Sequence, residues 1–422
     1  MKKKIFFYVC LYILIIFGIL VLVESKFDFV NLNKKKNSIK SQIYTSYYNL
    51  SIKNYKLPVF SKYGGIELYD NKIFYVSGES DFFLMEENES KDGYVFNQLK
   101  ISKINNYKEE FIKKNEKTLG KRAQDLFGVK DVLINNFKYT KNKIILISSL
   151  NYLKQDNCYN LSLYKAEIIN AKLFEIDKWN KIFSTKDCLS ITLTQKPNFA
   201  ASSAGGRIFK LDNDNILLTV GDFYSDGKNG PILSQDLKND YGKILKINVI
   251  DGSYSIYSFG HRNPQGLFID KKNNIFSTEH GPQYGDEVNL ISKGGNFGWP
   301  YATFGTAFRQ DWPFDKTNNT HQGYKKPIFS FGNTIGISNL IVYEGDYFSK
   351  WNNNLIISSL AGKKLIRMVF DHDSKSIIYI ENIPIRRRIR DIIKYKNGTL
   401  ALLTDRGWNK EFPEIILIQK FE

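Results

Sequence analysis

One short pattern returns six times and limits what this chain can fold into: an Asn, Asp or Gly turn, a short aliphatic and β-branched run, then Ser or Thr. It runs from Asn71 to Ser77, Asn142 to Ser148, Asp214 to Thr219, Asn273 to Thr278, Asn353 to Ser358 and Asn397 to Thr404. Each unit encodes a turn followed by a buried strand. Their starts lie roughly 45 to 80 residues apart, room for one four-stranded sheet and its loops. Six such sheets make a six-bladed β-propeller, whose radial repetition leaves few unpaired strand edges. A β-sandwich with incidental repeats is the alternative. The pattern predicts an all-β, six-bladed propeller over residues 56–422. One insertion between blades, Tyr107 to Lys117, is charged and helix-permissive.

The chain of 422 residues is 42% hydrophobic and 15% aromatic, ample for a core of that size. Ahead of the propeller, Met1 to Lys4 is a basic head, and Ile5 to Val23 carries no charge. At about 1.5 Å per residue this run comes to about 28 Å, close to the hydrocarbon thickness of a bilayer. A cleaved signal peptide would have a shorter apolar region and a small-x-small site, and none precedes Glu24. Residues 1–24 are therefore read as a cytoplasmic head and a retained transmembrane helix, and 25–55 as a polar tether. The body is then expected on the periplasmic or extracytoplasmic side. Lys34, Lys35 and Lys36 add positive charge to the far flank as well.

The formal charge of +17 raises nucleic acid or an anionic membrane as partners. The Lys residues are scattered, with no basic stripe interleaved with aromatics, so nucleic-acid binding is set aside. Cys158 and Cys188 are spaced to bridge neighbouring strands in an oxidising compartment, or to remain two buried thiols. Oligomeric state is not legible.

The densest segment begins with Ser258-Phe-Gly-His-Arg-Asn-Pro-Gln-Gly-Leu267. Glu279-His-Gly-Pro-Gln-Tyr-Gly-Asp-Glu-Val-Asn-Leu-Ile291 and Lys293-Gly-Gly-Asn-Phe-Gly-Trp-Pro300 follow it. Gly and Pro fix tight turns where backbone approaches something closely. Arg262, Asn263, His280, Asp286 and Glu287 ride on those turns, at loop ends where binding groups gather. Backbone carbonyls beside carboxylates also suit a hard cation such as calcium.

From about Ala200 onward these strings resemble the glucose/sorbosone dehydrogenase family, whose best-known members are soluble sugar dehydrogenases using pyrroloquinoline quinone (PQQ). The resemblance implies PQQ and calcium in a cleft on the top face of a six-bladed propeller. It implies that Arg262 and Asn263 contact the quinone oxygens, with Arg262 also in the catalytic set, and that His280 lines the pocket. The carbonyls of Gly281 and Pro282 would hold the cofactor's calcium, and Glu287 a second one. Thr334 would touch the cofactor, and Arg388 and Arg390 would clamp its carboxylates, a role suited to the planar guanidinium fork.

Two positions depart from that pattern. The family places a His four residues before an Arg, and this chain has Ser203 ahead of Arg207, with the spacing to Asp222 preserved. Oxidation at a sugar's C1 needs a base for the hydroxyl proton, and Ser cannot serve without a partner that deprotonates it. Asp222 is the candidate substitute. Ala361 stands where the family has a cofactor-contacting Lys. Two readings follow: a membrane-anchored PQQ- and calcium-dependent oxidoreductase of a sugar or alcohol, or an inactive propeller binding a sugar, an anionic ligand or a protein.

Overall fold

The computed structural model describes residues 41–88, 93–119, 127–138, 140–172, 174–191, 201–228, 230–306, 317, 319–407 and 411–421. Within them the strands form six antiparallel sheets. Blade 1 runs Gly64–Tyr69, Lys72–Ser77, Phe82–Asn88, Gly93–Gln98, and blade 2 is built on Val129–Asn135, Ile144–Leu153 and Cys158–Asn170. Blades 3, 4 and 5 begin at the inner strands Gly205–Lys210, Pro264–Ile269 and Ile337–Val342. Blade 6 begins at Ile389–Lys394. Each inner strand packs against the next, and the strand of blade 6 packs against that of blade 1, so the ring is closed.

All six sequence repeats are second strands of blades. They are buried along nearly their whole length, as Asn215–Val220 and Leu400–Thr404 illustrate. A second strand has a strand on each edge and a neighbouring blade on each face, which is why it reads as an unbroken apolar run. The turn residue has a reason too. Asn71, Asn273, Asn353 and Asn397 take φ of 60°, 63°, 61° and 54°, a left-handed conformation that Asn tolerates better than most residues.

In four of the six repeats the closing Ser or Thr fastens one blade to the next, whereas Ser77 and Thr404 bond within their own blades. Ser148 Oγ donates to Gly206 O at 2.5 Å, Thr219 Oγ1 to Pro264 O at 3.0 Å, and Thr278 Oγ1 to Ser338 O. Between blades 5 and 6 the link is relayed, Ser358 Oγ meeting Ser338 Oγ at 2.8 Å and Ser338 Oγ donating to Ile389 O at 2.7 Å. Carboxylates add a second set of stitches. Asp131 accepts from Ile208 N at 2.8 Å, and Asp391 from Ile66 N at 3.1 Å.

Blade 6 corrects the expected tether. Residues 25–55 do not run as one polar linker, because Ser41–Tyr44 and Asn49–Lys56 are strands. The second pairs with Glu414–Lys420, in register from Leu50 opposite Lys420 to Lys56 opposite Glu414. Leu50 and Ile52 are buried in that blade's core beside Ile416 and Ile418. The Lys and Asn residues around them mask this short apolar alternation in the sequence.

The inserted segment is a helix, Lys108–Leu119, held by Phe111 stacked on Phe127 at 4.6 Å and edge-on to Tyr152 at 5.6 Å. Cys158 and Cys188 are joined as a disulfide that ties blade 2's third strand to its edge. The apolar segment from Ile5 to Val23 lies outside the described residues, among which no helix is long and apolar enough to cross a membrane.

Candidate functional site

At one mouth of the central channel the inner strands of blades 1, 2, 3, 4 and 6 and the loops leading into them bound a cavity. Tyr63, Lys130, Ser202, Arg207, Gln265 and Arg390 line it. Below it Arg207 Nη1 bridges Asp131 Oδ1 at 2.7 Å and Asp391 Oδ1 at 3.1 Å, so charge at the channel's centre is paired. Burial, together with the Asp131 and Asp391 carboxylates, pushes the nearby Glu67 carboxyl up to about 8.

A chain of hydrogen bonds unites several predicted residues. His280 Nε2 donates to Ile337 O at 2.6 Å, which leaves Nδ1 to accept from Asn263 Nδ2 at 3.2 Å. Asn263 Oδ1 accepts from Gln265 Nε2 at 2.8 Å, and Gln265 Oε1 from Arg390 Nη1 at 3.3 Å. Arg390 Nη2 then donates to the buried Asp405. Burial and the Arg262 and Arg390 cations hold the His280 imidazolium below its usual range, so the ring is a neutral wall of the site.

Arg262 is fixed from behind. Its backbone N donates to Glu279, whose other carboxylate oxygen receives His261 Nδ1 at 2.9 Å, and His261 Nε2 meets Ser258 Oγ at 2.8 Å. The Ser–His–Glu connectivity looks like that of a nucleophile, but His261 is 0% exposed and stacked on Phe297, so the trio is a brace. The Arg262 guanidinium lies 5.3 Å over Trp299 and 5.6 Å from the Tyr224 ring, and donates to His280 O at 3.2 Å. The Nε atoms of Arg262, Arg388 and Arg390 are all buried without a hydrogen-bond partner.

Ser203 and Asp222 are brought together, as the preserved spacing requires. Ser203 Oγ donates to Asp222 Oδ1 at 2.8 Å, Tyr224 N donates to the same oxygen at 2.9 Å, and Trp299 Nε1 donates to Oδ2 at 2.7 Å. Both side chains are 0% exposed, and neither lines the cavity. Burial pushes the Asp222 carboxyl up to about 6, against the pull of Arg262 and Ser203. The expectation that Asp222 serves as a base meets a physical obstacle, since both of its oxygens already accept protein donors.

Thr334 Oγ1 accepts from Tyr284 N at 2.9 Å, tying blade 5 to the loop that carries Gly281 and Pro282. That loop turns tightly because residue 281 is Gly: a Cβ there would meet Tyr284 O at 2.0 Å. Asp286 is spent on backbone, accepting from Gly281, Ile335 and Ile337 N at 3.1 Å each. Glu287 stands apart from the cavity. Burial and the Glu279 carboxylate push its own carboxyl well up. Among the described residues no three His, Cys, Asp or Glu side chains gather into a metal-ligand set. Ala361 is exposed on the turn after Leu355–Ser359, and Lys363 reaches toward Glu411 at 3.7 Å.

Sequence reasoning missed Tyr63, Lys130, Gln265 and the clamp of Trp299 on Asp222. Lys130 is one of two adjacent charges, with Asp131, in the strand Val129–Asn135, and nothing in that strand's sequence sets it apart as a site residue.

The closed six-bladed ring has the fold of the PQQ-type glucose dehydrogenase propellers. The soluble aldose sugar dehydrogenase of Escherichia coli superposes with a TM-score of 0.68 at 19% identity, covering 88% of this chain and 100% of that one. The PQQ-bound aldose sugar dehydrogenase of Streptomyces coelicolor does so at 0.57 and 19%, covering 88% and 98%. At those identities the likeness concerns the fold. The family model for glucose/sorbosone dehydrogenase matches residues 98–412, and the chain belongs to that family. Aldose sugar dehydrogenase YliI of Escherichia coli strain K12 is 33% identical over 217 residues, 48% of this chain and 57% of that protein. Quinoprotein glucose dehydrogenase B of Acinetobacter calcoaceticus is 29% identical over 241 residues, 42% and 50% of the two chains. The chain thus spans about half the length of the curated relatives it matches.

Proposed function

We propose that this chain binds PQQ and oxidises a sugar or related alcohol. The carrying observation is the three guanidinium Nε–H groups of Arg262, Arg388 and Arg390, all buried and unpartnered, with Arg390 lining the cavity. Buried donors without acceptors are costly, and a planar polycarboxylate with quinone oxygens is a ligand that would satisfy them. Arg388 and Arg390 would hold carboxylates, Arg262 and Asn263 the quinone oxygens, and Thr334 an edge. The carbonyls of Gly281 and Pro282, on their tight turn, would hold calcium. Glu287 offers a second calcium little beyond one carboxylate, since Asp286 is engaged by three backbone N–H groups. When bound, the quinone would supply the hydride acceptor.

The chain's own residues then have two tasks. Arg262, fixed by the His261–Glu279 brace, would orient and polarise the reacting oxygens. Some group must also take the hydroxyl proton, and here the Ser203–Asp222 pair favours the second reading, a ligand-binding propeller without turnover.

The test is to add PQQ and calcium to the purified protein and follow quinone absorbance and dye reduction with aldoses. No absorbance change would sink both the cofactor and the enzyme. Binding without dye reduction would leave the inactive propeller. In that case Ser203→His, placing an imidazole against Asp222, should raise turnover by about 10²-fold or more, the usual contribution of a general base.

We also propose that the body lies outside the cytoplasm, anchored through the N-terminal apolar segment. The Cys158–Cys188 bond supports this, because disulfides persist on the oxidising side of a membrane.

A further inference from the structure

The cavity carries a residue that neither the family resemblance nor the clamp explains. Lys130 projects from blade 2's inner strand and is 7% exposed. Its Nζ sits 3.8 Å over the ring of Tyr63 and donates to Ala201 O at 3.3 Å. The Arg390 guanidinium lies against the same ring at 4.8 Å, so two cations share one aromatic ring. The neighbouring backbone is shaped around this side chain. Gly206 has φ +105°, and a Cβ there would come within 2.5 Å of Lys130 Cβ. Among the described residues, the cavity is lined by three cations, Lys130, Arg207 and Arg390, and by no acidic side chain. Asp131 and Asp391 pair with Arg207 below, and Asp405 pairs with Arg390.

We propose that this cavity is a carboxylate subsite and that Lys130 is the residue that recognises the carboxylate. Burial beside Arg390, Lys62 and Lys108 holds the Lys130 ammonium well below its usual range, and an anion in the cavity would offset that repulsion. The carboxylate has two possible sources, the cofactor or an acidic sugar such as a uronic acid. Geometry favours the sugar. Lys130 bonds to Ala201, in the 3-10 turn Ala201–Ser203 where the substrate's base would stand, whereas Arg388, the other arm of the cofactor clamp, does not line the cavity. The choice between the two sources rests on the dehydrogenase reading, whereas the subsite itself rests on the cavity alone.

The test uses the full chain, Lys130→Met and, should that variant fail to fold, Lys130→Gln. Glucuronate and glucose binding are followed by thermal shift, and PQQ binding by quinone absorbance. The expected result is that glucuronate, not glucose, stabilises the wild type, and that the variants bind it about tenfold more weakly or worse. A tenfold loss confined to PQQ would support the subsite with the cofactor as its source. Unchanged affinity for both ligands, or a wild type that binds neither, would overturn the proposal. A wild type that binds glucuronate through Lys130 but takes up no PQQ would sink the dehydrogenase reading and leave the subsite standing.

Discussion

With Ser at position 203, the Asp222 carboxylate becomes a structural acceptor for a hydroxyl, an indole and a backbone N–H. Trp299→Phe removes the donor to Oδ2 and leaves a buried oxygen unpaired. The expected cost is about 1–3 kcal/mol, read from denaturant unfolding, and no loss would mean that water replaces the indole. Glu67 makes a second prediction. Its folded value of about 8 lies above the ordinary carboxyl range, so folding favours the protonated form. That contribution is full below about pH 4.5 and is lost as the pH rises through about 8, so the melting temperature should fall between about pH 5 and pH 9. Glu67→Gln should flatten the fall. A residual slope should remain, because Asp131, pushed up to about 7, and Asp222 at about 6 act in the same direction. Arg262, Asn263 and His280 were legible because polar residues on Gly- and Pro-rich turns advertise a site. Lys130, Tyr63 and Gln265 were not, since they come from blades 2, 1 and 4, and only closure of the ring puts them beside Arg390.

Among elements, the second strand of each blade was the most legible, because burial on both faces writes an apolar run that survives compositional bias. The purpose of its terminal Ser or Thr was not legible. An acceptor such as Pro264 O lies on another blade, and nothing local announces it. The strand Asn49–Lys56 was misread for a related reason: its partner Glu414–Lys420 sits at the other end of the chain, and only Leu50 and Ile52 stand out among polar neighbours. A chain beginning at Ser41 should therefore melt within a few degrees of the full-length protein. One beginning at Pro58 leaves the apolar face of Glu414–Lys420 uncovered. It should lose about 10 °C or more, or fail to stay in solution, and calorimetry of both truncations checks this.

For the whole molecule, the closed ring is that of the glucose/sorbosone dehydrogenase family, with Ser203 bonded to Asp222 inside it. The disulfide contributes at this scale by closing a loop of sequence separation 30. Chain-entropy arguments put such a crosslink at about 2–4 kcal/mol, so Cys188→Ser should lower unfolding stability by that amount. Equal stability of oxidised and reduced protein would contradict it. The closure of blade 6 also has a consequence for how the molecule is made. The strand Asn49–Lys56 pairs with Glu414–Lys420, which is synthesised only after all the intervening blades, Leu50 with Lys420. Until Glu414–Lys420 emerges, blade 6 lacks a partner for the strand Asn49–Lys56, and that strand's edge stays open to other chains. Such a long-range pairing slows the last step of folding. Translation rate and chaperone supply, more than the equilibrium strength of any contact, would then set the yield of closed propellers in the cell.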